Sequence, residues 1–284
     1  MKNVQYFAPA TLEEALQILD EYGPKVNILA GGTDLVRDMN LEFKIPENIM
    51  WIGHLNLEYI KEEAGLIRIG AATRMQTAGD SSVLQNKAKA LATAAGKLAS
   101  PAVRTVATLG GNICTASPAA DCGCAMMGLG AEVVLTRKSG ERVVPLADFY
   151  TGPGKTVIQP GELLTEIRLK PTGENEGSAY EKIGRRQAMT LAVVNATSRV
   201  KLDKSGKCVS VLIVVGAAAP TLLRIKAAES VLIGQPFTEQ AIQEAAEIAV
   251  KEIKPIDDVH GTAWYRRKVT KVLVEHTLRD AVKA

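Results

Sequence analysis

The sequence predicts an α+β fold in two units, and three observations predict it. Apolar residues at helical spacing alternate along the chain with short runs rich in Val, Ile and Leu, a mixture of periods that fits neither an all-α nor an all-β protein. Compact turns at Lys138-Ser-Gly140 and Lys204-Ser-Gly206 separate pairs of such runs and favour antiparallel hairpins. The polar stretch Pro171-Thr-Gly-Glu-Asn-Glu-Gly177 breaks the pattern and reads as a linker or exposed loop between units. At 284 residues the chain has room for two compact cores.

Taken in order, Thr11-Leu-Glu-Glu14 is a capping box, in which a hydroxyl and a carboxylate satisfy the first free N–H groups of a helix. Leu12, Ala15, Leu16 and Leu19 follow at helical spacing, and Gly23-Pro24 should end the helix. Residues 26–30 read as a short buried strand leading into the small-residue loop Leu29-Ala-Gly-Gly-Thr-Asp-Leu35. Met50-Trp-Ile-Gly53 and Leu66-Ile-Arg-Ile-Gly-Ala71 read as further strands, and 87–98 as an Ala-rich helix. Next comes Val106-Ala-Thr-Leu-Gly-Gly-Asn-Ile-Cys-Thr-Ala-Ser-Pro-Ala-Ala-Asp121. Its Gly110-Gly111 pair suggests a loop whose backbone approaches a ligand closely. Ser117 reads as an N-cap and Pro118 as the first residue of a helix over 119–129, ending at Gly128 or Gly130. Glu132-Val-Val-Leu-Thr136 and Glu141-Arg-Val-Val-Pro145 form a hairpin, as do 191–202 and 209–215. Segments 223–233, 239–253 and 264–278 carry helical apolar stripes.

Bulk properties exclude several classes. Hydrophobic residues are 46% and charged residues 23%, an ordinary globular balance. A net charge of +3, from 34 basic and 31 acidic residues, gives no footprint for nucleic acid or an anionic membrane. No apolar run approaches the roughly 20 residues that span a bilayer. The start, Met-Lys-Asn-Val-Gln-Tyr, lacks the charged-then-apolar pattern of a signal peptide. Cys114, Cys122, Cys124 and Cys208 are too few and too clustered for a disulfide framework, so a cytoplasmic setting is expected. Cys122-Gly-Cys124 is spaced too tightly for a usual metal pair, and His54, His260 and His276 join no ligand pattern. No metal site is expected. Arg185-Arg186 and Arg266-Arg-Lys268 read first as solvated faces; the first run could also meet a dinucleotide and the second a partner subunit.

The two small-residue loops carry the functional signal. A glycine pair exposes backbone N–H groups, and a helix start behind it adds a positive dipole end, a combination suited to phosphate. Two such loops suggest a diphosphate held from both sides. In this order and spacing they make the chain resemble the flavin subunit of the molybdenum hydroxylases, the family of xanthine, carbon monoxide and nicotinate-type dehydrogenases. The resemblance covers essentially the whole chain, including Gly184-Arg-Arg186 and the helical C-terminal segments. It implies an FAD-binding domain of the vanillyl-alcohol-oxidase (PCMH) type over 1–172, made of two α+β subdomains, about 1–55 and 56–172. A C-terminal domain over 173–284, a small antiparallel sheet with helices, would follow. The missing Gly-x-Gly-x-x-Gly fingerprint agrees with a fold other than Rossmann.

The resemblance also implies site residues. Leu29, Ala30, Gly31, Gly32, Thr33, Asp34 and Leu35 would wrap the FAD diphosphate. Ala107, Thr108, Gly111, Asn112, Thr115 and Asp121 would meet the ribityl, diphosphate and ribose. Leu164 would pack by the ring system. Lys182 would lie near the polar edge of the isoalloxazine, where a cation stabilises the anionic reduced flavin. Residues 187–190 match a variable loop expected to gate the acceptor. No residue of this chain would be catalytic toward the organic substrate. The implied function is an electron-transfer subunit of a heteromeric complex: molybdopterin on a large partner, two [2Fe–2S] clusters on a small one, and NAD⁺ or another acceptor beyond the flavin. Plainer readings stand beside these. Asp34 could be a helix cap, the helix dipole alone favours an acid at Asp121, and Cys114 is expected to pack. A self-sufficient flavin oxidoreductase and a cofactor-free scaffold are the rival functions; the intact glycine pairs count against the scaffold.

Overall fold

A computed structural model of the protein describes residues 4–283, so the signal-peptide reading at Met1–Asn3 lies outside the described residues. Three larger sheets follow one another along the chain, with a two-stranded ribbon, Tyr150–Gly152 and Lys155–Thr156, beside them. The first is parallel, with Asn48–Trp51 between Gln5–Phe7 and Val26–Leu29. Its crossover helix, Leu12–Tyr22, starts as the capping box predicts: Thr11 Oγ1 accepts from the Glu14 N–H at 3.2 Å. The Glu14 carboxylate reaches one residue further back than the ideal box, to the Ala10 N–H at 2.8 Å. Gly23 ends the helix at φ 55°, which a side chain would strain. The strand expected to be buried, Val26–Leu29, is the edge of its sheet and only partly covered, because its open side borders a cleft.

The second sheet is antiparallel, in the order Ile60–Glu63, Leu66–Gly70, Leu163–Leu169, Glu132–Arg137 and Gly140–Pro145. Its central strand, Leu163–Leu169, is the last contributed by the sequence and carries a bulge between Leu164 and Glu166. Between Leu66–Gly70 and Glu132–Arg137 the chain makes six short helices: Met75–Asp80, Ser82–Lys87, Lys89–Lys97, Pro101–Arg104, Leu109–Thr115 and Asp121–Gly128. The predicted helix over 87–98 is therefore Lys89–Lys97 alone, since Lys87 closes a separate helix capped by Ser81. Gly110 and Gly111 lie inside a helix, not in a loop. Thr108 caps it by accepting from the Gly111 N–H. Ser117 and Pro118 do not start the next helix. Ser117 Oγ takes the Ala119 N–H in a local turn, and the helix begins at Asp121 with Ala120 as an uncapped N-terminus.

The third sheet, Glu176–Gly184, Ala192–Leu202, Cys208–Gly216 and Leu223–Arg224, is antiparallel and covered on both faces. Helices Lys226–Leu232 and Ala263–Ala281 pack on it from one side, with Glu239–Glu252 laid over them. Lys89–Lys97 and Asp121–Gly128 pack on it from the other. Residues 192–198 are consequently buried without alternation, the run expected of a strand with two dry faces. At Gly128 a Cβ would sit 2.4 Å from Thr197 Cγ2, so the helix meets the strand at backbone distance. The helix predicted over 223–233 shortens to Lys226–Leu232, because Leu223 and Arg224 pair with Val215 and Val214.

Residues 173–175 form the exposed loop that is one of the two expectations for this stretch, but its ends at Pro171, Thr172 and Glu176 are pinned, unlike a free linker. Arg199 donates to the carbonyls of Leu129 (2.9 Å), Lys170 (3.1 Å) and Pro171 (3.0 Å), and to the Glu176 carboxylate at 2.7 Å. The Ala90 N–H donates to Ser178 Oγ and the Thr172 N–H to the Lys87 carbonyl. Replacing Arg199 with Met leaves a carboxylate and three carbonyls without this donor. We expect a loss of about 1.5–3 kcal/mol, the range for hydrogen bonds to charged groups, read as a lower denaturant midpoint.

Candidate functional site: a cleft between two small-residue segments

A cleft of about 980 Å³ runs between the first sheet and the short helices of the second, at the upper end of the range for small-molecule sites. One wall is the turn at residues 30–34. Gly32 holds φ 74° there, and the N–H groups of Gly31, Gly32, Thr33 and Asp34 donate to no group among the described residues. Donors left free on a cleft-lining turn are the kind of group that can take an anion. The facing wall is Leu109–Thr115, whose first donors are all taken: Leu109 by the Thr73 carbonyl, Gly110 by Ala71, Gly111 by Thr108 Oγ1 and Asn112 by the Thr108 carbonyl. Anion-binding capacity therefore lies in the first segment, and the second supplies shape and side chains.

The glycines divide the work differently from the sequence reading. At Gly31 a Cβ would lie 1.9 Å from the Val106 carbonyl oxygen and 3.0 Å from Ala107 Cα, so this glycine lets the two segments touch. At Gly110 a Cβ would lie 2.6 Å from the Ala71 oxygen, which makes it a packing glycine. At Gly111 it would meet only Thr108 Oγ1, at 2.9 Å, and otherwise open cleft. Thr115 Oγ1 lies 2.9 Å from Asp34 Oδ2 and 2.9 Å from the Gly111 carbonyl, bridging both walls. Asp34 sits at the N-cap position of Leu35–Asn40 but makes no capping hydrogen bond, so its carboxylate serves the bridge instead.

Every predicted site residue lines the cleft except Leu29 and Lys182. Leu29 is the last residue of its strand and packs beside Gly32. Lys182 lies behind Asp121, with Nζ 2.7 Å from Asp121 Oδ2 and 3.4 Å from the Thr190 carbonyl. Asp121 Oδ1 also accepts from Tyr180 Oη at 2.5 Å. Asn112 Oδ1 takes the Gly123 N–H, tying the wall to the next helix. Cys114 is exposed on the cleft wall, against the expectation that it packs; Cys122 and Cys124 are buried as small core residues. Met189, Thr190 and Leu191 close one end.

Several lining residues escaped the sequence reading: Leu98, Ala99, Ser100 and Val103 on one side, Asn27 and Lys44 at the other end. A signal for the first group was present. Ser100-Pro101 is a true Ser N-cap with Pro at the first helical position, the signature assigned instead to Ser117-Pro118. Arg266, read as a solvated cation, is buried and donates to the Val193 and Ala217 carbonyls and to Asp258.

The cleft floor reaches Glu162, Leu163 and Leu164. Glu162 is buried and takes Arg142 Nε and Nη2 at 2.6 and 2.8 Å, while Arg142 also holds the Val157 carbonyl. This bidentate pair, outweighing burial, holds the Glu162 carboxyl below its usual pKa.

Comparison with known proteins decides the family. Residues 2–171 match the family described as FAD binding domain in molybdopterin dehydrogenase, and 178–281 match the CO dehydrogenase flavoprotein C-terminal domain. The chain belongs to this flavoprotein family. It is 34% identical to the carbon monoxide dehydrogenase medium chain of Hydrogenophaga pseudoflava, over 98% of this chain and 96% of that one. It is also 34% identical to the nicotinate dehydrogenase FAD-subunit of Eubacterium barkeri, over 94% and 92%. A solved carbon monoxide dehydrogenase from Hydrogenophaga pseudoflava superposes with a TM-score of 0.94 at 32% identity, covering 98% of this chain and 97% of that one. The α+β chain is thus an FAD-carrying oxidoreductase subunit of the molybdenum hydroxylase family.

Two outcomes follow for the cleft. Gly31→Ala forces a Cβ into backbone, beyond what side-chain repacking relieves, and should cost at least the ~1–3 kcal/mol of ordinary overpacking and lower FAD content in the purified protein. Glu162→Gln removes a carboxylate whose folded pKa is depressed. The stability difference between wild type and variant should be full above about pH 4.3, the unfolded glutamate value. It should shrink as pH falls through the lower folded value, as read by denaturant titration across the acid range.

Proposed function

We propose that this chain takes electrons from [2Fe–2S] clusters on a small partner subunit, fed by molybdopterin on a large one, and delivers them to NAD⁺ or another acceptor from a cytoplasmic complex. The observation that carries the site is the set of free N–H groups at 31–34, locked to the facing helix through Asp34 and Thr115. In this reading Ala30, Gly31, Gly32, Thr33, Asp34 and Leu35 hold the FAD diphosphate, with Leu29 fixing the strand behind them. Ala107, Thr108, Gly111, Asn112, Thr115 and Asp121 line the ribityl and ribose, Leu164 faces the ring, and Lys182 acts on its polar edge through Asp121. FAD supplies the two-electron to one-electron conversion, and the chain orients it, excludes water and admits the acceptor past residues 187–190.

The same reading divides the chain into 1–172, with subdomains about 1–55 and 56–172, and 173–284. Both buried carboxylates that line the cleft among the described residues are already partnered, Asp121 by Tyr180 and Lys182 and Glu162 by Arg142, so neither stands free as an acid or base for substrate chemistry. That favours an electron-transfer subunit over a self-sufficient oxidoreductase.

Purification with native partners tests the proposal. The complex should release FAD, not FMN, at one per copy of this chain, and should contain an iron–sulfur chain and a molybdopterin chain. Organic-substrate turnover by this chain alone would overturn it. Gly111→Val should lower FAD content at least tenfold with the far-UV circular dichroism unchanged, because the added Cβ meets only Thr108 Oγ1 and points the side chain at the cleft wall; full FAD content in that variant would remove Gly111 from the site.

A further inference from the structure

The C-terminal sheet reaches Asp121 of the cleft wall from behind, and polar groups converge there on its carboxylate. Tyr180 Oη donates to Oδ1 at 2.5 Å, and Asn195 Nδ2 lies 3.4 Å from the same oxygen. Lys182 Nζ donates to Oδ2 at 2.7 Å. Tyr180 and Asn195 are buried, and the side chains of Lys182 and Asp121 are only 7% and 8% exposed. The cluster therefore holds one negative and one positive charge away from water, where each hydrogen bond weighs more than at the surface. Burial, then the neighbouring Asp121 charge, raises the Tyr180 phenol well above its ordinary pKa, so it stays a donor throughout the working range.

We infer that Tyr180 is a positioning residue of the flavin site: by sharing Asp121 with Lys182, it sets how much of the lysine's charge reaches the cleft. This rests on the reading of Lys182 proposed above. An ammonium has three donors. Here one is committed to Asp121 Oδ2, and a second makes only the long 3.4 Å contact to the Thr190 carbonyl. The lysine thus stands behind Asp121 with one strong partner, and its charge is felt in the cleft to the extent that this carboxylate leaves it uncompensated. The phenol, with the shorter of the two contacts on Oδ1, takes up part of the carboxylate's demand. Without it, Oδ1 keeps only the long Asn195 contact, and the buried charge falls more heavily on Lys182. Replacing the carboxylate itself has the opposite effect, since the ammonium then loses its counter-charge.

The two changes should therefore move the flavin midpoint potential in opposite directions. In the purified complex, spectroelectrochemical titration should find Tyr180→Phe more negative than wild type and Asp121→Asn more positive. Lys182→Met should be more negative, and adding Tyr180→Phe to it should shift nothing further, because the phenol acts through the lysine. An unchanged potential in Lys182→Met would reject the reading of Lys182. A negative shift there with no shift in Tyr180→Phe would overturn the role of Tyr180 and leave Lys182 standing. Tyr180→Phe keeps the ring and should keep its fold by circular dichroism. If it is folded yet cannot be reloaded by excess FAD, the inference also fails, since it assigns the phenol to charge and not to binding.

Discussion

The contact on which the site depends is the approach of the backbone at Gly31 to the backbone at Val106 and Ala107. It joins a parallel three-stranded unit to an antiparallel five-stranded one at a distance that no side chain permits. The open donors of residues 31–34 face the helix Leu109–Thr115 because this contact sets their spacing. The Asp34–Thr115 hydrogen bond forms on the same footing. The small residues in the first loop therefore serve two masters. Gly32 permits the turn, whereas Gly31 permits the docking.

Much of the fold was legible because local rules and tertiary structure agree. The capping box at Thr11, the turn at Lys138-Ser-Gly140 and the stripes of the last helices are all decided within a few residues. The failures share a cause. Gly110-Gly111 looks like a loop by propensity, yet three of the first helical donors find acceptors in residues 71, 73 and 108, and that tertiary support outweighs the cost of glycine in a helix. Ser117-Pro118 has the residues of a helix start, but Ala217 donates to the Pro118 carbonyl and keeps the segment extended into a turn. The Tyr180–Asp121–Lys182 cluster joins residues about sixty apart, and the Arg142–Glu162 pair on the cleft floor residues 20 apart, so no local pattern announces them.

The C-terminal sheet is more than a lid on the helices. Buried on both faces, it shares one core with the first unit through Tyr180, Val214 and Leu222, and a second with its own helices. The Arg199 clamp at the connection and Gly128 against Thr197 add to that continuity. The C-terminal helices are thereby joined to the segment just before Asp121 by direct hydrogen bonds. Arg266 shows the route, holding the carbonyl of Ala217, whose N–H holds Pro118.

The position of Leu163–Leu169 in the second sheet has a consequence for biogenesis. This strand lies between Leu66–Gly70 and Glu132–Arg137, and Leu163 also packs with Leu16, Met50 and Leu57 in the core of the first sheet. The five-stranded sheet therefore cannot close until some 169 residues have been made, and its apolar faces wait through the synthesis of six helices. Closure comes from a long-range pairing, the slow kind, rather than from hairpin to hairpin. A nascent chain of this design spends that interval with unpaired strand edges, which makes it a natural client for chaperones during translation.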